Sequence, residues 1–147
     1  MLRQQQLLGL LAWLSAVNAQ GSTEYCSYYY GQYNCGISGG AYNFIGGYSY
    51  NYIYDADWSV ISGGTSSRIY DGMATVGGGL ANTAYQYQST VQGGGYNRAA
   101  GPYSLITGGW SNYGGGYAST ISGGWDNNNY GSWGNIGGGY KNYVGTS

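Results

Sequence analysis

The chain has 147 residues, 31 of them glycine and 20 tyrosine, with no histidine and only 6% charged residues. That length suits one domain, and a net charge of −1 gives no basic footprint for nucleic acid. Without histidine no ordinary nucleophile–base set can be built, so the composition argues against an enzyme, and it implies no cofactor.

Residues 1–19 read as a secretory signal peptide: Arg3 supplies the positive start, Leu7 to Val17 a short apolar core, and Val17 and Ala19 the small residues before a cleavage point. The apolar run is well below the ~20 residues of a membrane span, so no span is expected once the leader is removed. The mature chain is then expected to begin at Gln20, in a secreted or cell-surface setting. Cys26 and Cys35, the only cysteines, suggest one disulfide in an oxidising compartment. It would staple an N-terminal cap, 20–57, over the first unit of a repeat. Within that cap Ile37-Ser38-Gly39-Gly40 and Ile45-Gly46-Gly47 are divergent matches to the repeat. Tyr48, Tyr50, Tyr52 and Tyr54 alternate with other residues at a strand period, as a divergent coil or an edge hairpin would.

From 58 to 147 a unit returns every 15 residues. Its anchors are Ile61, Val76, Val91, Ile106, Ile121 and Ile136. Two residues after each comes glycine (Gly63, Gly78, Gly93, Gly108, Gly123, Gly138), and another glycine follows. Six after the anchor stand Asn82, Asn97, Asn112, Asn127 and Asn142, with Ser67 the exception. Helical repeats are about twice this long. The unit instead fits four or five extended residues, a turn, a short second strand and another turn. The expected fold is all-β, a parallel β-solenoid of about six regular coils, roughly 29 Å long at the ~4.8 Å inter-strand spacing.

Alternation puts the anchor inside, with the glycine two places on also inside and crowded by the opposite wall. A second inward column is expected eight after the anchor, at Ile69, Ala84, Ala99, Gly114, Asn129 and Val144. The asparagines are expected to turn the corner in the left-handed conformation and to form a ladder from coil to coil. Aromatic residues at equal phase should stack in columns: Trp110, Trp125 and Tyr140 in one, Tyr87 and Tyr117 in a second, Tyr103 and Trp133 in a third.

The unit at residues 89–99, Ser-Thr-Val-Gln-Gly-Gly-Gly-Tyr-Asn-Arg-Ala, resembles the head repeats of bacterial trimeric autotransporter adhesins, the YadA-like head. The resemblance covers about 58–147. It implies a left-handed β-roll that packs as a trimer on a cell surface and adheres to matrix or other cells. No pattern for that family's coiled-coil stalk or membrane barrel follows the repeat, so the fold carries over and the anchoring does not.

Other chemistry is thinner. Asp55 and Asp57 form a carboxylate pair suited to calcium or to glycoside hydrolysis, or simply a solvated bend beside Trp58. The glycine strings lack the helix and lysine of a phosphate loop, and nothing suggests a metal site. A threonine column like that of an ice-binding solenoid is broken at Leu105 and Asn135. The expected function is a secreted structural protein whose partner is itself, forming a filament, coat or adhesive layer. An open last coil would accept another chain at its strand edges. The alternatives are a discrete trimeric head that binds glycans or matrix through the aromatic columns, and a disordered Gly/Tyr-rich matrix.

Overall fold

A computed structural model of the chain describes residues 50–54 and 56–146 in full, and before them Ile45 and the backbone of short strands between 14 and 45. The repeat folds as a parallel β-solenoid of about six turns, all strand and turn among the described residues. Each anchor sits on its predecessor in register, from Ile45 on Ile61 to Ile121 on Ile136. The first sheet runs through Thr23–Cys26, Phe44–Ile45, Val60–Ile61, Thr75–Val76, Thr90–Val91, Leu105–Ile106, Thr120–Ile121 and Asn135–Ile136. The second runs through Cys35–Ser38, Asn51–Tyr54, Arg68–Ile69, Thr83–Ala84, Arg98–Ala99, Tyr113–Gly114, Asn128–Asn129 and Tyr143–Val144.

The strands of the regular coils are two residues long, shorter than the four or five expected. Left-handed residues cut them short twice in every coil. One set is Tyr50, Ser66, Ala81, Tyr96, Ser111, Asp126 and Lys141; the other is Trp58, Met73, Gln88, Tyr103, Ala118 and Trp133, all with φ of 50–60°. The residue that turns the corner is therefore the one before each asparagine, and the expectation of left-handed asparagines fails. Each such residue costs about 1–2 kcal/mol, and its hydrogen bonding helps offset that. Most backbone donors point to the following coil, as Gly95 N does to Gly109 O at 3.0 Å. Corner residues donate backward instead, Tyr96 to Leu80 O at 2.8 Å and Trp133 to Tyr117 O at 2.8 Å. Each coil is thus tied to the one before it at both corners.

The interior is narrow. The anchors are buried, and so are Ile69, Ala84, Ala99, Gly114 and Asn129 in the second inward column, with Val144 half-buried. Ser59, Ser89, Ser104 and Ser119, two residues before their anchors, face inward as well. Asn82, Asn97, Asn112 and Asn127 lie inside rather than on the turn, and Asn142 in the last coil is exposed. Asn97 Nδ2 donates to Gly93 O at 3.0 Å in its own coil and to Gly109 O at 2.9 Å in the next. Its Oδ1 accepts Asn112 N at 3.0 Å. The expected ladder is present, and it satisfies polar groups that apolar side chains could not.

Ser67 interrupts this ladder. Asn51 Oδ1 accepts Ser67 N at 2.9 Å, but Ser67 Oγ is buried without a hydrogen-bond partner. Ser67→Asn should supply the missing rung and raise stability by about 1–2 kcal/mol. A higher denaturation midpoint is the expected result; an unchanged or lower one would show that the site cannot seat an amide.

The crowded glycine is not the predicted one. A Cβ at Gly63, Gly93, Gly108, Gly123 or Gly138 would meet nothing within 4 Å. The next glycine is the tight one: Gly64, Gly79, Gly94, Gly109 and Gly124 have φ of 84–91°, and a Cβ would overlap the carbonyl oxygen of the glycine one coil on. Close approach is between successive coils, not across the interior.

Toward the N-terminus, Asn51–Tyr54 pairs in parallel with both Cys35–Ser38 and Arg68–Ile69. It is a divergent coil rather than a hairpin. Ile37 aligns with Ile53, in the second inward column and not among the anchors. Leu14–Val17 pairs antiparallel with Thr23–Cys26 at the edge of the first sheet. This strand falls inside the expected leader, whose removal would leave Thr23–Cys26 as the edge. The expected disulfide between Cys26 and Cys35 lies outside the residues whose side chains are described.

Candidate assembly and binding surfaces

Parallel stacking in register converts each outward position into a column, so the surface is a set of stripes running along the rod. The outward column of the first sheet is Val60, Thr75, Thr90, Leu105, Thr120 and Asn135. From Val60 on it carries no aromatic residue, Phe44 preceding Val60 in register, and Leu105 and Asn135 break its hydroxyl series.

Two aromatic stripes run along corners. At the first, Trp110, Trp125 and Tyr140 are in register, as expected. Their rings divide into two groups. Trp110 lies over Gly95 and meets Tyr96 at 5.0 Å between centroids, while Trp125 meets Tyr140 edge-on at 5.8 Å. Lys141 Nζ stands 5.1 Å from the Tyr140 ring centre. No ring contact joins Trp110 to Trp125. At the second corner the two expected columns are one. Tyr87–Tyr103, Tyr103–Tyr117 and Tyr117–Trp133 are 5.8, 5.3 and 5.6 Å apart, so the rings zigzag between two adjacent positions of the turn. Tyr87 Oη also donates to Met73 Sδ at 3.2 Å. This ridge ends on Trp133, 75% exposed.

A third stripe covers the outer face of the second sheet and was not anticipated. Tyr54 stacks on Tyr70 at 4.8 Å with planes 6° apart, and Tyr70 meets Tyr85 at 4.9 Å. The next coil has Ala100 at that position, and Arg98 fills the gap, its guanidinium 4.9 Å from the Tyr85 ring centre and 5.8 Å from that of Tyr113. Tyr113–Tyr130 at 5.1 Å and Tyr130–Tyr143 at 5.6 Å continue the series. It alternates between two outward positions of one strand. A search at one spacing misses it, whereas pooling positions two residues apart would have found it.

Asp57 and Asp71, from successive coils, line a corner cleft of about 300 Å³ together with Trp58, Gly72, Met73 and Tyr87. Asp71 Oδ1 accepts Gly72 N at 2.7 Å. Asp55, the expected partner of Asp57, lies outside the described residues. Among the described residues no group of three or more His, Cys, Asp or Glu could hold a metal ion, and no helix is long and apolar enough to cross a membrane. Comparison with protein families, curated proteins and solved structures returns no match to this chain.

Proposed function

We propose that this chain is a secreted, non-enzymatic structural rod that assembles with copies of itself into an extracellular filament, coat or adhesive layer. Secretion rests on the leader pattern of residues 1–19. Assembly rests above all on the exposed ridge Tyr87–Tyr103–Tyr117–Trp133, backed by the opposite corner with Trp125, 58% exposed, and Tyr140, 61%. Sixteen large hydrophobic side chains are exposed among the described residues, most of them in the three stripes rather than scattered, and such stripes mark interaction surfaces. With few charges, the surface offers little repulsion between neighbouring rods. The narrow core is a further support, because lateral packing adds apolar burial that the rod interior does not provide.

The test is electron microscopy and light scattering of the protein recovered after secretion, compared with the double variant Trp125→Ala/Trp133→Ala. Uniform filaments or sheets are expected from the unaltered protein. The variant should need at least about tenfold more protein to assemble, as for loss of interface aromatic anchors, with its denaturation midpoint preserved because both rings are outside the core. Monodisperse particles from the unaltered protein would overturn the reading and favour the alternative, a discrete trimeric adhesin-like head bound to glycans or matrix.

A further inference from the structure

The third stripe differs in kind from the two corners. Its ring planes are 6° apart at Tyr54–Tyr70 and 36–43° apart in Tyr70–Tyr85, Tyr113–Tyr130 and Tyr130–Tyr143, against 56–80° at the corners, and Tyr70, Tyr85, Tyr130 and Tyr143 are exposed to a ligand. Each tyrosine then offers a hydroxyl that both donates and accepts. Arg98 places its guanidinium 4.9 Å from the Tyr85 ring centre and 5.8 Å from that of Tyr113 while remaining exposed, and a guanidinium is a planar fork suited to a bidentate anion. Arg68 occupies the same outward column two rungs away, through Thr83, and both arginines are exposed. Two rungs correspond to roughly 10 Å. No carboxylate shares this face among the described residues; Asp57 and Asp71 are at one corner and Asp126 at the other.

We infer that the outer face of the second sheet, from Tyr54 to Tyr143, is a binding track for a linear acidic polysaccharide. Arg68 and Arg98 pair with its carboxylate or sulfate groups, and the tyrosine hydroxyls bond to its sugar hydroxyls. Two cations two rungs apart, with an uncharged rung between them and tyrosines alongside, suit a chain in which acidic and neutral sugars alternate. Single-stranded nucleic acid fits less well on two counts. Its charges recur about every 3.4 Å along a strand, far denser than these two cations, and its bases seek open aromatic faces, which neighbouring rings partly occupy, most of all at Tyr54–Tyr70. This track does not depend on whether the rods polymerise, because it uses a different face from the corner ridges.

The experiment is calorimetric titration of the full protein with a hyaluronan decasaccharide, a neutral chitin oligosaccharide and oligothymidylate. It is run at a concentration where sedimentation shows no polymer, or on Trp125→Ala/Trp133→Ala if the unaltered protein assembles throughout. Hyaluronan binding that weakens with salt is expected, with little binding of the other two. Arg98→Gln should weaken it about tenfold, and Arg98→Lys should give an intermediate loss. Tyr85→Phe, which removes only an oxygen, should cost a few-fold at unchanged thermal stability. Arg68→Gln supplies a second site of loss on a different coil, and the double variant Trp125→Ala/Trp133→Ala should bind as the unaltered protein does. Absent hyaluronan binding, equal binding of the neutral oligosaccharide, tighter binding of oligothymidylate, or indifference to both arginine substitutions would each overturn the proposal.

Discussion

Asn97→Ala is expected to destabilise the solenoid by about 3–5 kcal/mol, a large share of the 5–15 kcal/mol that holds a typical domain folded. Asn97 is fully buried, and its side chain joins its own coil to the next. It takes Asn97 Nδ2 away from Gly93 O and Gly109 O, and it takes Oδ1 away from Asn112 N and Asn112 Nδ2. Gly109 O keeps the N–H of Gly95 at 3.0 Å, but the Asn112 N–H loses its acceptor in a place closed to water. Leaving a buried backbone group unpaired costs more than the bond itself contributes. Asn142→Ala is the matched control, because that asparagine is exposed and water replaces what is lost; a change of about 1 kcal/mol or less is expected there. Urea denaturation gives the comparison, and hydrogen exchange should show loss of protection centred on residues 93–112. Equal effects at the two positions would mean that the ladder is incidental to stability.

Gly94→Ala should be the more disruptive of two alanine substitutions that look alike in sequence. Gly94 has φ of +84°, and its added Cβ would overlap Gly109 O and stand 2.7 Å from Asn97 Nδ2 and 2.9 Å from Gly109 N. None of these atoms is the free end of a flexible chain. Gly109 O receives Gly95 N, and Asn97 Nδ2 is fixed in the ladder. Relief therefore requires two coils to separate, and a loss above about 4 kcal/mol is expected, in the range reserved for breaking a buried network or a special backbone conformation. Gly93→Ala adds its methyl where nothing lies within 4 Å, so a change within about 1 kcal/mol is expected, set by backbone entropy alone. Soluble yield and denaturation midpoint distinguish the two. Indistinguishable variants would remove the argument that inter-coil contact, rather than a thin interior, requires the glycine pair.

Surface substitutions give a complementary pattern. The rings at Trp125 and Trp133 are outside the core, so assembly should fall without loss of fold. The Arg98 substitutions test the outer face of the second sheet, apart from the two corner ridges. Ser67→Asn goes the other way, since it completes a ladder that the repeat leaves open at one rung.

What was legible in the sequence is what repeats at one phase. The 15-residue step, the anchors from Ile61 to Ile136, the small inward column from Ile69 to Val144 and the asparagine ladder follow from period and alternation, because parallel coils in register place equal positions on top of one another. The all-β solenoid follows from the same rule. Contacts between unequal positions were not legible. Tyr103 and Tyr117 belong to different phases of the repeat yet touch across one corner, and Arg98 closes a gap left by Ala100 two residues along its own strand. The left-handed corners were hidden too, since residues as different as Tyr96, Asp126 and Lys141 turn them, and their common feature is a backbone donor pointing to the preceding coil. Sequence alone thus determined the period, the inward columns and the asparagine ladder. Only the tertiary structure decided which glycine is crowded, where the chain turns and which rings meet, because each depends on atoms one coil away: the crowding carbonyl at the same position of the repeat, the corner acceptors and ring partners at different ones.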